Sequence, residues 1–177
     1  MAEQDVATAL QRVQAVLRRQ PEIGLHDDAP AAARWEGGTR VVTTHANGTE
    51  ISSDMPGELG GSGDRITPGW LFRAGLASCA ATSIALAAVA EGITLAALEV
   101  RASSRSDTRG LLGMAGSDGA PVYGGPSEMQ LHVRIAASGV SVLRLRKVVE
   151  DGVGRSPVPN AVRNVTALPL RIDVDTM

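Results

Sequence analysis

This 177-residue chain predicts a single α+β domain, with antiparallel sheets packed on a buried central helix. Three observations lead there. The recognisable elements run helix, three strands, helix, two strands, helix, strand. The strands alternate apolar and polar residues cleanly, which is the pattern of antiparallel sheets with one wet face. The stretch from 74 to 90 is uncharged and rich in Ala, Gly, Ser and Thr. It is short of the ~20 strongly apolar residues a spanning helix needs, so it reads as the helix that the other elements cover.

The elements follow in order. Val6, Leu10, Val13 and Leu17 form a helical stripe, with Arg18 and Arg19 suited to the carbonyl end and Pro21 as its stop. Residues 1–21 are therefore a helical extension, followed by a linker over 22–30. Strands are predicted at Ala32–Trp35 and Arg40–His45. Asn47-Gly48 predicts a type I′ hairpin turn, in which both central residues need positive φ, and a return strand over Thr49–Ser53. After a Gly-rich loop, Thr67 and Pro68 suit the cap and first turn of a helix that runs to Glu91, where Gly92 ends it. A strand is predicted over Leu95–Arg105, with Leu98, Val100 and Ala102 on one face. A long Gly-rich connection over 107–126 is of the kind that is often functional or mobile. Met129, Leu131, Val133 and Ile135 mark the clearest strand. Val142, Leu145, Val149 and Val153 mark another helix. Leu168, Leu170, Ile172 and Val174 predict a final strand.

Composition narrows the function. Apolar residues make up 44% and charged residues 20%, ordinary values for a globular domain. The net charge of −2, with no basic block, argues against a nucleic-acid partner. The N-terminus is acidic and lacks the apolar core of a signal segment. A single cysteine rules out an intrachain disulfide and suits a reducing compartment, so a cytoplasmic protein is expected. His26, His45 and His132 are scattered without ligand-like neighbours, so no metal or other cofactor is expected. The Gly57–Gly63 loop lacks the Gly-Lys-Ser/Thr ending of a phosphate-binding loop.

The lone cysteine, Cys79, lies mid-helix in Thr67-Pro68-Gly69-Trp70-Leu71-Phe72-Arg73-Ala74-Gly75-Leu76-Ala77-Ser78-Cys79. With Pro56-Gly57-Glu58-Leu59-Gly60-Gly61 before it and Ser156-Pro157-Val158 after it, and with this element order, the chain resembles the OsmC/Ohr family. These are osmotically induced and organic hydroperoxide resistance proteins. The resemblance spans roughly residues 30–177. It implies an intertwined homodimer whose two sites reduce organic hydroperoxides. One cysteine attacks the peroxide, a second condenses with the resulting sulfenic acid, and a dithiol reduces the disulfide. A glutamate and an arginine hold the thiolate.

Set against that pattern, Cys79 takes the attacking position. The second cysteine's place is held by Ser156, and the glutamate's by Gly69. Arg40, early in the hairpin, is the candidate arginine. A free thiol is only a few per cent thiolate at neutral pH, and apolar burial disfavours the charged form further. Mid-helix, the dipole gives little help, so a reactive thiol needs a cation. Arg73, six residues back, points to another face, which leaves Arg40, Arg155 or an arginine of a second chain. Gly75 and Ser83 share the face of Cys79. Gly75, Trp70 and Ser156 are the candidate substrate pocket, Trp70 as an apolar wall.

Two functions of different class follow. In the first, the chain reduces small organic hydroperoxides through Cys79 alone, with an external thiol or dithiol resolving the sulfenic acid. In the second, catalysis is lost and the dimeric fold binds a small apolar molecule. A purely structural role, with an inert buried thiol, is the bland alternative. For Ser156 that alternative is a residue that merely ends a helix before Pro157.

Overall fold

The computed structural model describes residues 3–164 and 166–175. Helix α1 (Glu3–Arg19) leads through a short 3-10 turn at Pro21–Gly24 to a three-stranded sheet of β1 (Ala32–Gly37), β2 (Arg40–Thr44) and β3 (Glu50–Ser53). Then come α2 (Pro68–Ala90), β4 (Ala97–Arg105), the single turn α3 (Thr108–Leu111), β5 (Ser127–Ala136), α4 (Val142–Arg155) and α5 (Pro157–Arg163). Both sheets are antiparallel, in the orders β1-β2-β3 and β4-β5.

Helix α2 starts as its sequence dictates. The Thr67 hydroxyl accepts from the Trp70 amide at 3.2 Å, and Pro68 fills the first turn, where no amide donor is needed. Gly92, at φ +67°, ends it. By length and mean hydropathy, 1.5, α2 would pass for a membrane span. Here it is a core helix, because α1, β4, α4 and α5 all pack on it. Its Leu76, Ala80, Ile84, Ala87 and Ala88 are buried, and with Ile93, Val148 and Val153 they form the core.

The β4–β5 sheet shows why alternation positions a face. Leu98 pairs with Ile135, Val100 with Val133 and Ala102 with Leu131, and Leu98, Val100, Leu131, Val133 and Ile135 pack against the core. Between them, Glu99 pairs with Arg134 and Arg101 with His132 on the wet face, where Glu99 bonds Arg101 at 2.7 Å. Helix α4 runs antiparallel to α2. Arg144, near its start, reaches Glu91 just past the end of α2, bonding the carboxylate at 3.2 Å and the carbonyl at 3.1 Å.

Four expectations change. The hairpin forms at Asn47-Gly48, but the turn is not type I′, since only Gly48 has positive φ (+86°). His45 Nδ1 accepts from the Asn47 amide and Asn47 Oδ1 from the Thr49 amide, which closes the turn with Asn47 in ordinary backbone. The β1–β3 sheet packs on α2 less closely than β4 does within one chain, and Trp35 is 69% exposed. Helix α5, not foreseen, follows Ser156. Residues 166–175 are not a strand: they lie without regular structure, and Leu168, Leu170, Ile172 and Val174 are all more than 70% exposed. Alternation alone does not make a strand there. Pro169 removes a ladder donor, and among the described residues no strand pairs with the segment.

Candidate functional site

Cys79 is half-buried on α2, and Ser156 is wholly buried (0% exposed) at the junction of α4 and α5. The Ser156 hydroxyl donates to Cys79 Sγ at 3.1 Å. The residue pair that the sequence placed 77 positions apart is thus in direct contact.

The junction is built to hold that geometry. The Ser156 amide closes α4 by bonding the Val153 carbonyl at 3.2 Å. The Ser156 carbonyl opens α5, accepting from the Asn160 amide at 3.0 Å and from its Nδ2 at 2.9 Å. The same Nδ2 bonds the Gly154 carbonyl at 2.9 Å. Asn160 therefore clamps the corner on both sides of Ser156. Sequence reasoning missed it. The available signal was an Asn four residues after a Ser-Pro start, where its side chain can reach back to helix-end carbonyls.

The candidate cations are elsewhere. Arg40 Nη2 bonds Asp64 at 2.7 Å, Ser62 Oγ at 2.9 Å and Asp54 at 3.3 Å. Arg155 is exposed and folds back on its own helix, bonding the Asp151 carbonyl at 3.0 Å. Arg73 reaches Ser104 of β4 at 3.4 Å, on a different face of α2, as the helical spacing predicts. Among the described residues, the hydrogen-bond partner of Cys79 is the Ser156 hydroxyl.

Asp54 organises the loop that leads into α2. Its buried carboxylate accepts from the Thr39 hydroxyl at 2.5 Å, the Ser62 hydroxyl at 2.6 Å, and the Met55 and Ser62 amides at 2.8 and 3.1 Å. The Ser62 hydroxyl above all, then the Thr39 hydroxyl and the two amides, hold this carboxyl far below the usual carboxylate range, against the cost of burial. The loop's glycines are structural: Gly60 and Gly63 have φ of +82° and +69°, and a Cβ at Gly61 would collide with the Met55 backbone.

Of the expected pocket, Ser156 meets Cys79 and Gly75 leaves space. A Cβ added at Gly75, one turn before the thiol, would meet nothing within 4 Å. Trp70 stands half-exposed on the first turn of α2. Gly69 lies beside Arg73, 3.7 Å from its Nη1 to an added Cβ. An apolar groove of about 470 Å³ runs between β5 and the α4–α5 corner, lined by Leu76, Leu131, Val149, Val153, Pro159 and Val162. Neither Cys79 nor Ser156 lines it, although Leu76 of α2 and Val153 of α4, each three residues before one of the pair, do.

A central helix carrying one thiol, capped by a helical corner and flanked by a two-stranded sheet, defines a class of α+β protein with a single-cysteine site. The chain belongs to the OsmC-like protein family, whose model matches residues 61–170. No curated protein matches it in sequence. Solved structures share the fold. An OsmC-like protein from Mycoplasma pneumoniae superposes with a TM-score of 0.65 at 20% identity, over 80% of this chain and 91% of that one. An organic hydroperoxide resistance protein from Elizabethkingia anophelis, with thiocyanate bound, gives 0.59 at 24% identity, over 80% and 93%. A putative organic hydroperoxide resistance protein from Vibrio cholerae, with captopril bound in one of its active sites, gives 0.54 at 23% identity, over 80% and 89%.

Proposed function

We propose that this chain reduces small organic hydroperoxides through Cys79, as a cytoplasmic homodimer fed by an external thiol or dithiol. The observation that carries the reading is the Ser156–Cys79 contact of 3.1 Å. A serine touching the thiol leaves the first oxidation step intact and removes internal resolution. In that step the thiolate attacks the terminal peroxide oxygen and the O–O bond breaks. The alkoxide leaves and takes up a proton to become an alcohol, and the sulfur becomes a sulfenic acid. An outside thiol then attacks the sulfur, the S–O bond breaks, and water departs. A second thiol releases the mixed disulfide and returns the free Cys79.

The exposed Leu168, Leu170, Ile172 and Val174 support the homodimer: a second copy would cover them, and its arginines are the remaining candidate cations for the thiol.

Treating the reduced protein with one equivalent of an organic hydroperoxide and a sulfenic-acid trap, then reading intact mass, tests this. Rapid, stoichiometric modification that Cys79→Ser abolishes is expected. A thiol unmodified over minutes in folded protein rejects the reading. The mostly apolar groove between β5 and the α4–α5 corner favours one alternative, a non-catalytic binder of a small apolar molecule. That reading expects ligand-dependent stabilisation from a protein whose thiol stays inert.

A further inference from the structure

We infer that Ser156 is a positioning residue for Cys79: its buried hydroxyl proton is spent on the sulfur, and reagents reach the sulfur from the open side over Gly75. The inference rests on the hydroperoxide-reducing role proposed above.

Ser156 occupies the N-cap of α5, where a serine hydroxyl ordinarily accepts from an amide of the first turn. Here it makes no such bond. Its oxygen, shielded from solvent, donates to Cys79 Sγ instead. A residue present only to end a helix would use the hydroxyl on the helix. The diversion to sulfur, with the backbone clamped by Asn160, marks a group aimed at the thiol. A hydroxyl offers one donor, and a bond from it to a charged sulfur is stronger than to a neutral one. It therefore favours the thiolate where Arg40, Arg73 and Arg155 of the same chain are bound to other groups. Ser156 closes one side of the sulfur. On the same helical face, one turn earlier, Gly75 leaves open space within one chain.

The test is alkylation of Cys79 by iodoacetamide across pH, read by intact mass, in wild type, Ser156→Ala, Ser156→Thr and Gly75→Val. Ser156→Ala is expected to shift the rate profile to higher pH, slowing alkylation near neutrality roughly tenfold. Ser156→Thr, which keeps the hydroxyl, is expected to restore the profile. Gly75→Val is expected to slow the reaction at every pH without moving the half-point. A Ser156→Ala variant that melts lower yet keeps the wild-type half-point overturns the positioning role. An unchanged rate in Gly75→Val overturns the direction of approach. Alkylation uses no peroxide, so a hydroperoxide that fails to oxidise Cys79 while the profile still follows Ser156 rejects only the peroxidase reading.

Discussion

Gly152 of α4 backs onto Ile84 of α2 so closely that a Cβ at 152 would lie 2.6 Å from the Ile84 Cα. This contact sits between two others on the antiparallel pair of helices, Arg144 with Glu91 and Ser156 with Cys79. The spacing of the helices at Gly152 thus sets how near Ser156 comes to the thiol, one helical turn further on.

Gly152→Ala is expected to destabilise the fold. In an open helix interior the change would gain about 1 kcal/mol of propensity. Here the added methyl meets backbone, and overpacking costs about 1–3 kcal/mol. A lower urea midpoint with unchanged slope is expected. A higher midpoint would mean that α4 moves away from Ile84 without cost.

Ser156→Cys is expected to restore a resolving thiol. With the hydroxyl already at 3.1 Å from Cys79 Sγ, a sulfur in its place is within reach of the oxidised Cys79. One equivalent of hydroperoxide should then give a protein lighter by two hydrogens, with no free thiol and no trappable sulfenic acid. A persistent sulfenic acid beside a free Cys at 156 would show that the corner holds the two sulfurs apart.

Asp54→Asn is expected to lower the melting temperature at neutral pH by a few degrees. The sign of its pH dependence follows from the direction of the shift. The folded carboxyl is held below its ordinary value, so its contribution is fully present above the unfolded value of about 3.9 and fades as the pH falls through the lower, folded one. The difference in melting temperature between wild type and variant should therefore be constant above about pH 5 and shrink below about pH 4. A difference that grows on acidification contradicts this account of Asp54.

In the homodimer proposed above, Leu170→Asp is expected to shift sedimentation from dimer to monomer while leaving far-UV dichroism unchanged, because Leu170 is 84% exposed within one chain. A variant that stays dimeric places the interface elsewhere.

Several features were legible in the sequence because they rest on local chemistry. The Thr67-Pro68 start of α2, its Gly92 end, and the alternation of β4 and β5 depend on neighbours a few residues apart. The same local logic failed at two places. Asn47-Gly48 makes a hairpin, but His45 and Asn47 side chains bond the turn amides and spare Asn47 a positive φ. Leu168–Val174 alternates like a strand, yet a strand needs an edge to pair with, and alternation carries no information about where that edge is.

The site divides along the same line. Cys79 could be picked out from its helix and its uniqueness, and Ser156 from its place before Pro157-Val158. By itself the sequence determined the order of the main elements through α4, the one residue type available as a thiol and the lack of an internal disulfide partner. Only the tertiary structure decided that Ser156 spends its hydroxyl on sulfur rather than on its own helix, and that Arg40 is bound by Asp54, Ser62 and Asp64. Both depend on contacts between residues far apart in the chain. Those contacts are fixed by the close approach of α2 and α4 at Gly152 and by the carboxylate-centred loop before α2, not by any local pattern.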